Sequence, residues 1–152
     1  MSKPFTPLDE NYQSRVQNSF GRQQCMASLN ITMSKIEAGK VELSMPYNKL
    51  YTQQHGFIHA GIISTALDSA CGYAAFTLMD PAAAVLTVEY KINLLSPAKG
   101  EVFLFEAEVL KPGRTITVAE GKAYAFNGEE KKLIASMNGT LMAIMERNDI
   151  KH

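Results

Sequence analysis

One carboxylate stands alone in an otherwise uncharged stretch: between His59 and Met79, HAGIISTALDSACGYAAFTLM, the only Asp, Glu, Lys or Arg is Asp68. The small and apolar residues around it read as one buried helix, and a carboxylate there is costly to bury without a partner or a task. Proton transfer and nucleophilic attack are the tasks open to it. The same helix begins at His59, Ala60 and Gly61, where unpaired backbone N–H groups and the positive end of the helix dipole form a natural seat for a developing oxyanion. The thiols of Cys25 and Cys71 are isolated, with neither metal-ligand spacing nor a disulfide framework. No metal is expected.

The elements that must position these groups follow from the apolar periodicity. Residues 8–19 space Leu8, Tyr12, Val16 and Phe20 four apart and predict a short amphipathic helix. From Met26 to Tyr47 two β-like runs separated by AGK predict a hairpin turning at Ala38 and Gly39. The long helix follows, closed by Asp80 and Pro81. The period then changes to two. AVLTVEYKINL puts Val88, Tyr90, Ile92 and Leu94 on one face and Thr87, Glu89, Lys91 and Asn93 on the other, and three further strand-like runs follow, broken by KPGR and NGEEKK. The expectation is an α+β domain, a five- or six-stranded antiparallel sheet wrapped around one long central helix. A single sheet covers one side of a helix, and this helix has almost no polar face to give to water, so a second copy of the chain is expected to cover it.

Composition sets the outer limits. The 152 residues suit one domain, 1–152, with 1–22 as an N-terminal helical extension and 23–147 as the core. Fifteen acidic and fifteen basic residues balance, and the longest basic run is Lys131–Lys132, which excludes a phosphate-tracking stripe and makes nucleic acid an unsuitable partner. The N-terminus has no apolar signal core, and a reducing cytoplasm is the expected location. Residues 56–79 are long enough to consider as a membrane span, but Asp68, Ser64, Thr65, Ser69 and Thr77 make them too polar, so no span is expected.

Over residues 25–146, the order helix, hairpin, long helix, strands, with HAGIISTALDSACG opening the helix and VEYKINLLSPAKGE after it, resembles the hot-dog fold acyl-CoA thioesterases of the phenylacetate-degradation (PaaI) type. Their motif is His-Gly-Gly with an acidic residue seven positions after the second Gly. Here His59, Ala60 and Gly61 precede Asp68 at that spacing, with Ala60 in place of the first Gly. The resemblance implies an acyl-CoA thioesterase in which the Ala60 N–H, helped by Gly61, polarises the thioester carbonyl. Asp68 acts as general base or nucleophile, and His59 starts the helix. Eight residues of helix, about 12 Å, separate Ala60 from Asp68, so each site would combine the helix start of one protomer with Asp68 of its partner, in a homodimer or a dimer of dimers. Gln53 falls where the family places Asn or Gln near the attacking water or the thioester oxygen, and Thr87 where a Ser or Thr orients the water beside the acid. Lys111 and Arg114, in the turn between two long strands, would meet CoA phosphates. Tyr73, Leu86 and Phe76 would shape the acyl pocket. No cofactor is implied, CoA being part of the substrate. A non-catalytic acyl-CoA-binding protein and an enoyl-thioester hydratase or dehydratase are the alternatives on this fold.

Overall fold

The computed structural model describes residues 4–150 and 152; Met1–Lys3 of the expected N-terminal extension, and Lys151, lie outside the described residues. Two helices come first, α1 (Tyr12–Gly21) and α2 (Gln24–Ser28), then strands β1 (Thr32–Glu37) and β2 (Lys40–Pro46), a turn of 3-10 helix (Lys49–Tyr51) and the long helix α3 (Ala60–Phe76). Strands β3 (Ala84–Leu94), β4 (Val102–Lys111), β5 (Ile116–Asn127) and β6 (Glu130–Ile144) complete the chain. All pairings are antiparallel in one six-stranded sheet of order β1-β2-β4-β5-β6-β3. The sheet wraps α3, whose Ile63, Ala66, Leu67, Ala70, Cys71 and Ala74 are buried against it. A β-carbon on Gly121 would lie 3.1 Å from both Cys71 Sγ and a Leu67 methyl, so helix and sheet approach closely there.

The N-terminal expectation needs correction in two places. Leu8 precedes the first helix and is 69% exposed, because the Asp9 carboxylate accepts from Asn11 N–H at 2.9 Å and builds a turn that delays the helix to Tyr12. The residues from Met26, read as the start of a strand, are helical instead. Gln23 O accepts from Met26 N–H and Ala27 N–H, which turns the chain and drops Met26 into the core.

The long helix stops at Phe76, short of Asp80 and Pro81. Arg15 explains the early stop: its guanidinium donates to Phe76 O (2.9 Å), Met79 O (3.0 Å) and Asp80 O (2.8 Å) while pairing with Asp9 at 3.3 Å. A cation on the last carbonyls satisfies acceptors that the helix cannot. Thr77 adds a second tie, accepting from Gly39 N–H at 2.8 Å in the hairpin turn, where Gly39 has φ +77°.

Strand β3 has the expected boundaries but a different phase. A bulge between Thr87 and Glu89 inserts Val88 as an extra residue. Thr87 therefore faces the helix together with Tyr90, Ile92 and Leu94, rather than opposing them. The helix also has an open face after all: Gly61, Ile62, Ser64, Thr65, Asp68, Ser69 and Gly72 remain partly or fully open.

Candidate active site

The start of α3 is held by its flanking loop. Gln53 N–H donates to Phe57 O (2.9 Å), Ile58 N–H to Ala98 O (3.0 Å) and His59 N–H to Tyr51 O (2.9 Å), fixing the approach to the helix. His59 is the N-cap residue, and its ring Nδ1 accepts from Gly61 N–H at 2.8 Å. That bond has a chemical consequence. Gly61 N–H is engaged, whereas Ala60 N–H meets no acceptor among the described residues. The expected pair of donors is thus a single one, Ala60. No positive φ is found at Ala60, so the methyl in place of glycine introduces no backbone strain. Ala60 borders a cavity of about 480 Å³ that Gln53, His59, Ile63 and Leu94 also line. Gln53 Oε1 accepts from His55 N–H, which leaves its amide nitrogen as the free end.

Asp68 borders a different, smaller cavity of about 90 Å³, with Gln23, Ser69, Tyr73, Thr87 and His152. The bulge in β3 brings Thr87 here, and its hydroxyl donates to Asp68 Oδ1 at 2.7 Å. No cation lies within salt-bridge distance of Asp68 among the described residues. Burial pushes the Asp68 carboxyl above its ordinary value, and the Thr87 bond only partly opposes the shift. A carboxylate with raised proton affinity, one oxygen fixed and the other free, is suited to take a proton from water. Cys71, one helical turn away, is no rival nucleophile: burial, with smaller contributions from Asp68 and Glu120, pushes its thiol up to about 12.

The other expected residues divide. Tyr73 lines the Asp68 cavity, its hydroxyl 3.1 Å from Ser19 Oγ and its ring edge-on to Phe20. Leu86 lines neither of these two cavities; it pairs with Met142 on the sheet face opposite Thr87 and is 44% exposed. Lys111 and Arg114 are exposed at the β4–β5 connection and line neither of these cavities.

Gln23, Ser69 and His152 were not anticipated. Ser69 Oγ donates to Gln23 Oε1 at 3.1 Å, while His152 bridges Ser19 Oγ (2.8 Å) and Val85 N–H (3.2 Å). Ser69 adjoins Asp68 in sequence, which was a usable signal. Gln23 lies in a kink that no periodicity marks. Among the described residues, no group of three or more His, Cys, Asp or Glu could hold a metal ion.

Comparison with known proteins identifies the family and the fold. Residues 55–132 match the thioesterase superfamily. A thioesterase family protein from Silicibacter pomeroyi is 58% identical, with a TM-score of 0.88 over 89% of this chain and 99% of that one. Human acyl-coenzyme A thioesterase 13 is 32% identical over 57% of this chain and 61% of its own length. The PaaI protein of the E. coli phenylacetic acid degradation operon shares the fold, with a TM-score of 0.81 at 18% identity over 90% of this chain and 96% of that one. The chain belongs to the thioesterase superfamily and is a thioester hydrolase of the hot-dog fold.

Proposed function

We propose that the protein hydrolyses acyl-CoA thioesters at a site that two copies of the chain complete together. The observation that carries this reading is the division of labour on α3: the free Ala60 N–H and the unpaired Asp68 open into separate cavities with no lining residue in common. Neither half suffices alone. Strand β3, at the end of the sheet, supplies a surface for the second copy, with Tyr90 42% and Leu94 58% exposed on its helix-facing side. A long open edge with apolar side chains favours pairing with another chain.

In the assembled site the thioester oxygen accepts from Ala60 N–H of one protomer. Asp68 of the other takes a proton from water as the water oxygen bonds to the carbonyl carbon. The electron pair displaced onto the oxygen is held at the helix N-terminus, a contribution of about 3 kcal/mol for such a donor, and collapse of the intermediate expels the CoA thiolate, which recovers the proton. Gln53, through its free amide nitrogen, lies beside the thioester oxygen.

Lys111 and Arg114 suit the phosphates of CoA, being exposed cations on one short connection. Replacing both with Ala should raise KM for an acyl-CoA about tenfold and leave kcat unchanged in steady-state assays; an unaltered KM assigns the phosphates to another surface.

The test of the reading is a thiol-release screen over aryl, medium-chain and long-chain acyl-CoAs with wild type beside Asp68→Asn. Loss of at least about a hundredfold is expected in the variant; an unchanged rate removes Asp68 from the mechanism. Single turnover in H2(18)O separates its two possible roles, since label entering the Asp68 carboxylate would mark it as nucleophile rather than base.

A further inference from the structure

The small cavity beside Asp68 holds a side chain for which the hydrolytic scheme has so far given no use. Gln23 stands at the kink between α1 and α2, its N–H bonded to Phe20 O (3.0 Å) and its carbonyl accepting from Met26 N–H (3.1 Å) and Ala27 N–H (3.4 Å). The side chain is pinned as well, because Ser69, the residue after Asp68, donates its hydroxyl proton to Gln23 Oε1 at 3.1 Å. With the oxygen end fixed, the amide NH2 is the end left free in a cavity that Asp68 and Thr87 share.

Most of the side-chain protons around that cavity are engaged. Thr87 gives its proton to Asp68, and Ser69 gives its proton to Gln23. His152 Nε2 accepts from Val85 N–H, so the neutral ring donates from Nδ1 to Ser19 Oγ, and the one bond between Ser19 and Tyr73 leaves one of those two hydroxyls with a spare proton. A nucleophilic water needs an acceptor for the proton it loses and a donor that fixes one lone pair, so that the other is aimed at the carbonyl. Asp68 meets the first need. Among the described lining side chains Gln23 offers an uncommitted N–H for the second, and its oxygen is fixed by the residue that follows Asp68.

We infer that Gln23 positions the attacking water, donating from Nε2 to the water oxygen while Asp68 takes the water's proton. This rests on the reading of Asp68 as general base. In the step itself one water O–H bond breaks, its proton goes to the free oxygen of Asp68, and the water oxygen bonds to the carbonyl carbon. Gln23 neither gains nor loses a proton. It is a positioning residue that holds the nucleophile.

The test compares wild type, Gln23→Leu, Gln23→Glu and Asp68→Asn on phenylacetyl-CoA and hexanoyl-CoA, using whichever wild type cleaves faster. Gln23→Leu should lower kcat about tenfold, the value of one hydrogen bond, with KM within about twofold of wild type. Gln23→Glu keeps the acceptor for Ser69 but sets a second carboxylate beside Asp68. The acid limb of its kcat–pH profile should move to higher pH, which reports that the side chain shares the cavity with Asp68, while the fall in kcat at unchanged KM in Gln23→Leu reports its use. The other titratable groups near that cavity are Tyr73 and Cys71 on α3, Glu120 on β5, His152, and Arg22 ahead of the kink; all are unchanged in the variant. An unaltered kcat in Gln23→Leu, a rise in KM alone, or an unmoved acid limb in Gln23→Glu overturns the inference. If Gln23→Leu fails to fold, Gln23→Met decides by the same fall in kcat at unchanged KM. Should Asp68→Asn keep the wild-type rate, the reading of Asp68 has failed and the inference with it; if Asp68→Asn is inactive while Gln23→Leu is fully active, the inference alone has failed.

Discussion

Asp68 is kept where it costs stability, and that cost can be measured. Its proton affinity is higher in the folded chain than in the unfolded one, chiefly through burial and in spite of the Thr87 bond. Above the unfolded pKa, ionisation therefore works against folding, and below it both states are protonated and the penalty vanishes. The neutral variant Asp68→Asn should accordingly melt at a higher temperature than wild type at pH 7, with the gain shrinking toward pH 3. A lower melting temperature at pH 7 would mean that the ionised group is stabilised by something other than Thr87. The raised affinity also has a kinetic signature: the rate should fall on acidification at a higher pH than an unperturbed Asp would give, because the base must be ionised to act. Asp68 and the helix start were legible in the sequence because a lone acid in an apolar run is conspicuous. The engagement of Gly61 by His59 was not, since N-capping by a ring nitrogen depends on a rotamer that sequence spacing does not fix.

At the scale of elements, boundaries were easier to read than phase. Strand β3 was expected over 84–94 and is found there, but the bulge at Val88 reverses which alternate residues face the helix before it. Strict alternation cannot register one extra residue, and this one brings Thr87 to Asp68. The end of α3 was misplaced for a related reason: Pro81 is a visible stop signal, whereas the actual stop depends on Arg15, sixty-one residues from Phe76 in sequence. The guanidinium also lies 4.3 Å from the centre of the Phe76 ring. Arg15→Ala would leave the terminal carbonyls without their donor and should destabilise the fold by about 2–3 kcal/mol in denaturant titration. Arg15→Lys, which keeps the charge but lacks the forked geometry, should recover less than half of that loss. A variant as stable as wild type would show that the α1–α3 clamp carries no weight.

Across the whole molecule, the described chain is a single sheet curled around one helix, with no helix long and apolar enough among the described residues to cross a membrane. What the sheet leaves open is informative: an end strand with apolar side chains and a helix face that includes Gly61, Thr65, Asp68 and Gly72. The expectation of a second copy arose from the lack of a polar helix face, and the structure changes its reason, because α3 does keep an open face and that face carries the acid itself. Ala60 offers a clean way to probe the pairing. It is the first residue of α3, where proline is well tolerated, and His59 already has the extended backbone, φ −58° and ψ 136°, that a following proline requires. Ala60→Pro should therefore remove the N–H donor while sparing the helix. The decisive measurement is thiol release by the two inactive variants, Ala60→Pro and Asp68→Asn, mixed, unfolded and refolded together. If each site takes its N–H from one protomer and its carboxylate from the other, random mixed dimers contain one intact site and activity should return to about one quarter of wild type; a mixture as inactive as its parts would place both groups of each site in a single chain.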